Sequence, residues 1–339
     1  MIERRDALVG CLIGGAVGDS LLLPAEGLSR QRIARRFGPA VRQRLVAGRG
    51  MVSDDTEHAF LTARALIRSG DDPQRFARSL GWRLRWWMLC MPIACGKATA
   101  LGIIRLWLGW PVDRSGVHSG GNGPSMRAAI IGAAYAEKPD LRRALVDAST
   151  SLTHRHPHAR AAAQAVAACA AWSGRDAGIA VLWSDLADQD PDWQQRLDLL
   201  RTWLESDADT DELARRLDCP EHVSGWSLHS VPFAIGCWLR HRDDAAAGFA
   251  AVQRAGGDTD TIGAILGGLY GADRGESAFD PSWTQRLVDM PISTSVLRAT
   301  AQALAGQGRP SRWWWPLLPL RNVMFLIIIL AHVARRALP

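Results

Sequence analysis

The 339-residue sequence predicts an all-α protein, and three observations carry that expectation. Nearly every periodic stretch is rich in Ala, Leu and Arg, with apolar residues returning at steps of three and four. Runs that alternate in period two and favour Val, Ile and Thr are essentially missing. Glycine and proline fall between the periodic stretches, where connections would be needed. Helices of this kind hide their apolar stripes by packing round one another.

Taken in order, helices are expected over residues 6–22, 54–69, 73–89, 125–137, 141–150 and 158–171. Gly70-Asp71-Asp72-Pro73, Gly109-Trp110-Pro111 and Ser119-Gly120-Gly121-Asn122-Gly123-Pro124 break the pattern. No low-complexity linker divides residues 1–305, which read as one domain. A shift comes at Gly306-Gln307-Gly308-Arg309-Pro310, which reads as a hinge into a second segment, 306–339. That segment holds Trp313-Trp314-Trp315, then Arg321-Asn322, the apolar run 323–331 and Arg335-Arg336. The run is shorter than the roughly 20 residues that span a bilayer. Clustered Trp beside Arg suits contact with a membrane surface through residues 313–336. A terminal helix docked on the core is the alternative. Three adjacent Trp are hard to bury together, which tilts the expectation toward membrane contact.

An apolar fraction of 47% against 22% charged allows a sizeable core and argues against disorder. The formal charge of +6, carried mostly by Arg, would help to attract an anionic substrate. No Lys/Arg run interleaved with aromatics signals a nucleic-acid groove. Cys11, Cys90, Cys95, Cys169, Cys219 and Cys237 are scattered, with no CxxC pair, and read as buried free thiols. The opening residues MIERRDALVG show no basic-then-apolar leader. A cytoplasmic location is expected, peripheral to the inner face of the membrane if the tail makes contact.

Two acidic clusters carry the chemistry. Ser53-Asp54-Asp55-Thr56-Glu57 opens an amphipathic stretch, with Ser53 placed to cap it. Acids at a helix start are ordinarily worth about 0.3–1 kcal/mol each through its dipole. Adjacent aspartates exceed what capping needs, and a hard cation that takes oxygen ligands would offset their repulsion. Gly256-Gly257-Asp258-Thr259-Asp260-Thr261 is the second cluster, and its glycines permit a tight turn. Behind it lies a helix full of Gly and Ala, and the first helix offers a similar face in Gly10, Gly14, Gly15, Ala16 and Gly18. Close packing of those two faces would hold the carboxylates together. The four aspartates with Ser53 and Thr261 are enough for two metal ions.

With these blocks in hand, the sequence resembles the ADP-ribosylglycohydrolase family over roughly residues 7–275. Gly10–Asp19 with Pro24-Ala25-Glu26 resembles the family's opening helix and loop, and Ser53-Asp54-Asp55-Thr56 its first metal motif. Ser119 to Arg127 resembles its ligand loop, Thr153-His154 its Thr-His motif, and Gly256 to Thr261 with Gly263-Ala264 its second metal motif. The resemblance implies a compact multi-helix orthogonal bundle, to which the apolar tail is an addition. It implies two divalent ions, Mg²⁺ or alternatively Mn²⁺, held by Ser53, Asp54, Asp55, Asp258, Asp260 and Thr261. It also implies hydrolysis of the C1″ bond of ADP-ribose on an acceptor, commonly a protein arginine; a small-molecule conjugate is the other partner class. Asp55, Asp258, Asp260 and Glu26 would serve catalysis, while Asn122, Gly123, Met126 and His154 would hold the substrate.

Ser53 stands where the family usually has Thr, and Leu21-Leu22-Leu23 replaces a smaller stretch, which would stiffen or shift the Glu26 loop. Asp19 reads as a cap or a buried hydrogen-bond partner, His156 and His158 as surface histidines, and Trp82, Trp86 and Trp87 as core. Two rival readings are an immunity protein against an ADP-ribosylating toxin and a non-catalytic relative of the J-crystallin kind. Loss of metal-site acids would favour the latter, and here all four are present.

Overall fold

The computed structural model describes residues 2–93, 95–173, 178–188 and 190–337, and among them there is no β-strand. Helices α1 (Arg4–Leu22), α2 (Arg30–Arg36), α3 (Asp54–Ser69), α4 (Pro73–Leu89) and α5 (Lys97–Trp107) precede the glycine-rich loop. After it come α6 (Ala129–Ala134), α7 (Pro139–Ser151), α8 (Pro157–Trp172), α9 (Ile179–Leu186), α10 (Pro191–Leu204) and α11 (Thr210–Arg216). The last third holds α12 (Ser227–Arg240), α13 (Ala245–Ala255), α14 (Thr259–Arg274), α15 (Pro281–Gln285), α16 (Thr294–Leu304) and α17 (Leu317–Ala337). The expected helices 54–69 and 73–89 coincide with α3 and α4. The stretch 125–137 departs from expectation: a 3₁₀ turn at Ser125–Arg127 precedes the short α6. There Arg127 turns inward and donates to Ser149 Oγ and Thr153 Oγ1 at 2.9 and 2.8 Å, which a straight continuing helix does not provide.

The core is organised on α1 and α14, which run antiparallel and touch through backbone. A Cβ on Gly10 would sit 2.2 Å from Gly271 O, one on Gly14 2.2 Å from Gly267 O, and one on Gly18 1.9 Å from Gly263 O. The reverse contacts are as tight: 1.9 Å for Gly271 on Gly10 O and 2.0 Å for Gly267 on Gly14 O. Both glycine sets repeat every four residues, so each forms one stripe along its helix. Other helices wrap this pair: α3, α6 and α16 pack on α1, and α8, α12 and α13 on α14. The buried faces are continuous, and α8 is apolar almost all round, from Ala159 to Trp172.

α4 shows how a helix is read wrongly from composition. Its core stripe is Phe76, Leu80, Leu84 and Trp87, so Trp87 is buried as expected. Trp82 and Trp86 lie on another face and are each 54% exposed, contrary to the core placement expected for them. Helical spacing links them to each other but sets them off from the Phe76–Trp87 stripe. All six cysteines are free, five of them buried and Cys95 half-buried.

The first turns of α17 are tied into the domain by a buried charge network. Arg321 donates to Asp289 from Nε and Nη2 at 3.1 and 2.7 Å, to Glu57 Oε1 at 3.2 Å, and to Val52 O. Trp87 Nε1 donates to the other Glu57 oxygen at 2.5 Å, and Asn322 Nδ2 to Cys90 O at 2.8 Å. Burial pushes the Glu57 and Asp289 carboxyls up, and the Arg321 guanidinium pulls both back toward ionisation. Phe325, one turn on, packs with Leu23, Leu45 and Met51.

Three substitutions test this packing. Gly267→Ala should destabilise the protein by about 3 kcal/mol or more in urea denaturation, because its Cβ meets rigid backbone. Gly15→Ala, whose Cβ would lie at an ordinary 3.5 Å from Ala264 O, should be neutral or add up to about 1 kcal/mol. Arg321→Met leaves two buried carboxylates unpaired and should cost about 3–5 kcal/mol by the same measurement.

Candidate active site

The glycine contact fixes where three helix ends meet. Because Gly18 lies on Gly263, the C-terminal end of α1 reaches the N-terminal end of α14. Asp19, on that end of α1, then turns to the start of α3. It accepts from Ser53 N at 3.0 and 2.9 Å, from Thr56 Oγ1 at 2.6 Å and from Thr56 N at 3.3 Å. Asp19 thus caps a helix that is not its own, and Ser53 Oγ caps the same helix at Asp55 N, 3.2 Å away. Burial pushes the Asp19 carboxyl up to about 7, with the hydrogen bonds opposing the shift. Asp19 fills the structural role expected for it.

The loop before α14 is held on both sides. Gly256 and Gly257 adopt φ of 70° and 86°, in the left-handed region that favours glycine. Gly257 N donates to Leu28 O at 2.9 Å, and Asp258 N to Val223 O at 2.9 Å. A Cβ on Gly257 would sit 2.0 Å from Val223 O. Asp258 and Asp260 therefore come out facing α3. Thr261 Oγ1 donates across to Asp55 Oδ2 at 3.2 Å, beside Ser53 Oγ at 2.9 Å, and so joins two clusters two hundred residues apart in the chain.

The cleft formed there has a volume of about 830 Å³. Asp54, Asp55, Asp258, Asp260 and Thr261 line it, as do Glu26, Asn122, Gly123, Met126 and His154. Ser53 lies beneath them, buried, with its hydroxyl turned to Asp55. Of the residues expected to hold metal or substrate or to serve catalysis, all but the buried Ser53 line the cleft. Burial raises Asp54, Asp55 and Asp260 well above the usual carboxylate range, and repulsion from neighbouring acids adds to it. Asp258 is raised less strongly, because Asn122 Nδ2 donates to its Oδ2 at 2.6 Å. Asp55 Oδ1 is buried with no hydrogen-bond partner. Crowded oxygen donors, an orphaned carboxylate oxygen and two adjacent hydroxyls are the donor set a hard divalent cation takes.

The glycine-rich loop forms the opposite wall. Asn122 N donates to Gly225 O at 3.0 Å and Ser227 N to Gly120 O at 2.9 Å, while Asn122 Nδ2 also reaches Ser230 Oγ at 3.1 Å. Underneath lies Arg127, whose Nη1 meets His58 Nδ1 at 2.9 Å. Thr153 Oγ1 takes Arg127 Nη2 and contacts His154 Nδ1 at 2.9 Å. Burial, then the Arg127 charge, pushes His154 down to about 3, so its ring is neutral near pH 7. A Cβ on Gly123 would lie 3.0 Å from the His154 ring, so glycine lets loop and imidazole approach.

Lys97, Arg32 and His222 also line the cleft, and no motif marked them. Lys97 and Arg32 come from α5 and α2 and His222 from the loop before α12, and only the folded chain brings them together. His156 and His158 are half-buried rather than fully exposed, and His156 Nδ1 accepts from His158 N at 3.2 Å as the cap of α8. His158 Nε2 lies 3.0 Å from Asp192 and 3.6 Å from Asp190, and none of the three lines the cleft.

The family model described as ADP-ribosylglycohydrolase matches residues 1–312. The chain belongs to this family. An uncharacterized protein of Archaeoglobus fulgidus is 31% identical over 287 residues, spanning 82% of this chain and 90% of its own. The ADP-ribosyl-[dinitrogen reductase] glycohydrolase of Rhodospirillum rubrum is 24% identical, spanning 90% and 97%. A solved ADP-ribosylglycohydrolase-related protein complex contains a chain with TM-score 0.67 and 29% identity, covering 89% of this chain and 98% of that one. Family membership supports hydrolysis of ADP-ribose conjugates as the coarse activity. The fold is likewise the ADP-ribosylglycohydrolase type, with the apolar C-terminal helix present.

The departure at Leu21-Leu22-Leu23 has a structural counterpart. Leu23 packs against Phe325 of α17, and His332 Nε2 lies 3.1 Å from Pro24 O. The chain leading to Glu26 is therefore held by α17.

The carboxylate crowding makes a prediction that needs no substrate. In differential scanning fluorimetry, millimolar Mg²⁺ should raise the melting temperature by about 3 °C or more, and a chelator should reverse it. Asp260→Asn should stabilise the metal-free protein by about 1 kcal/mol through lost repulsion, yet abolish the response to Mg²⁺.

Proposed function

We propose that this chain is a metal-dependent hydrolase that releases ADP-ribose from a modified acceptor, with ADP-ribosyl-arginine as its substrate. One observation carries the reading: Asp54, Asp55, Asp258 and Asp260 share a single cleft with Asn122, Gly123, Met126 and His154. A volume of about 830 Å³ lies within the range typical of small-molecule and cofactor sites.

Ser53, Asp54, Asp55, Asp258, Asp260 and Thr261 would hold two divalent ions, with Mg²⁺ the hard cation best matched to all-oxygen donors. When bound, such ions supply Lewis-acid hold on a ribose diol and lower the pKa of a bound water. The chain's own residues supply the rest. Asn122 fixes the rotamer of Asp258 through its 2.6 Å hydrogen bond and, through its backbone N–H, ties the glycine loop to Gly225. Neutral His154 offers Nε2 beside that loop as an uncharged polar contact. Lys97 and Arg32 bring positive charge to the cleft for the diphosphate. Glu26 and Asp54, both half-buried at the wall, face the same space with negative charge, which suits a guanidinium leaving group. One of the aspartates takes the proton of the attacking water as C1″ acquires oxocarbenium character.

The test is release of ADP-ribose from arginine-, serine- and DNA-linked conjugates, with and without Mg²⁺. Only the arginine conjugate should be cleaved well, and Asp55→Ala or Asp260→Ala should reduce turnover to background while the circular dichroism stays unchanged. Activity that survives either substitution or a chelator overturns the reading. Asn122→Ala, which removes the amide's bonds to Asp258 and Ser230, should cost about 10–100-fold.

A further inference from the structure

The face built by α4, α5 and α17 carries a surface that the cleft chemistry does not use. Trp82 and Trp86 each meet Trp107 edge-on, with ring centroids 6.3 and 6.1 Å apart, and Trp86 lies 6.4 Å from Trp315. All four rings are at least 41% exposed. Trp315 carries this cluster to the root of α17, where Leu320, Met324, Ile327 and Leu330 are exposed in steps of four, three and three. Leu318, Arg321, Asn322 and Phe325 occupy the opposite, buried side. α17 is thus half embedded in protein and half a bare apolar strip.

The segments that carry this face hold one sign of charge between acidic borders at Asp72, Asp113 and Asp289. Residues 73–112 and 290–339 contain twelve of the 40 Lys and Arg, eight of the 15 Trp and none of the 34 Asp and Glu. The rest of the chain is net acidic, although the whole is +6. Between α4 and Trp313–Trp315 lies a cavity of about 880 Å³ whose cationic lining is Arg68, Arg75, Arg78 and Arg83. Among the described residues none of these four has a carboxylate within ion-pair distance, and Arg83 Nε is buried without a partner. Protein surfaces ordinarily intersperse both signs, so unpaired guanidinium groups beside exposed Trp indicate an anionic occupant from outside.

We propose that this face docks on an anionic phospholipid bilayer, with α17 lying in the headgroup plane and the Trp–Arg cavity taking lipid phosphate. The geometry excludes a spanning α17 while Arg321 stays paired to Glu57 and Asp289, since one side of the helix remains in protein. A second copy of the chain is disfavoured because two such faces would bring like charges together. Nucleic acid would use the Trp and Arg but has nothing to cover the strip from Leu320 to Leu330. The proposal rests on this face alone and stands or falls independently of the hydrolase reading.

Flotation of the full chain with vesicles tests it. Phosphatidylcholine vesicles containing 30% phosphatidylglycerol should retain at least about tenfold more protein than phosphatidylcholine alone. Ile327→Glu with Leu330→Glu, and separately Arg75→Glu with Arg78→Glu, should each lower that retention about tenfold while hydrolysis in solution stays unchanged. The arginine pair is exposed, so it remains informative should the apolar pair disturb folding. Retention that is absent, or equal on neutral and anionic vesicles, overturns the proposal. So does a dimer in light scattering, or tight binding of an oligothymidylate without vesicle binding, if the same substitutions abolish it.

Discussion

The structure depends on one contact, the backbone-to-backbone seam between α1 and α14. Gly10, Gly14 and Gly18 meet Gly271, Gly267 and Gly263 in register, with no room for a single extra carbon at most of these positions. Six glycines inside helices are locally unfavourable, at roughly 1 kcal/mol each against alanine. The return is close packing over the seam and, above all, position. A seam fixed at three points along both helices leaves little freedom for the ends that emerge from it. Those ends carry Asp19, Asp258 and Asp260, so the placement of the cleft carboxylates is inherited from a packing rule far simpler than the site.

Two buried charge systems sit side by side on this frame and behave oppositely. In the network of Glu57, Asp289 and Arg321, the acids are paired with a guanidinium, and Trp87 and Val52 N satisfy further oxygens. That network is nearly closed by the chain itself. In the cleft, Asp54, Asp55 and Asp260 are repelled by neighbouring acids, among the described residues none of the three is ion-paired, and Asp55 Oδ1 has no hydrogen-bond partner. Burial raises carboxyls in both places, but only in the first are the acids directly ion-paired. The second is left in deficit, which is what a site built for an external cation requires.

Much of this was legible in the sequence, for identifiable reasons. Helical periodicity placed α3 and α4 to the residue because Ser53 and Asp72 are strong caps and Gly70 a strong stop. The glycine stripes announced the α1–α14 contact, since four-residue spacing of glycine has few other uses inside helices. The cleft acids were legible as two acidic helix starts. What sequence missed is what only tertiary placement decides. Arg321 interrupted an apolar run and looked like an interfacial charge, while its carboxylate partners lie 32 and 264 residues away. Trp82 and Trp86 shared a face with each other, yet nothing local said that Phe76, Leu80, Leu84 and Trp87 would define the buried side. Lys97 and Arg32 reach the cleft from helices that carry no motif.

The entry into α3 at Val52–Thr56 joins the two charge systems and explains why a helix beyond the family match bears on the site. From one side, Asp19 takes Ser53 N and Thr56 N; from the other, Asp289 takes Val52 N and Arg321 takes Val52 O. The Met51–Val52 and Val52–Ser53 peptide groups are thereby fixed, so the entry of the chain into α3 is set by α1 and α17 together. The family match ends at residue 312, five residues before α17 begins, yet α17 holds the peptide ahead of the first acidic cluster and packs on Leu23 just before Glu26. The leucine that departs from the smaller residues usual in the family and the helix that follows the family domain are thus two halves of one contact. An added helix that reaches a site this way is held in place by the site's own supports, which is why Arg321 and Asn322, polar residues of its first turns, point inward.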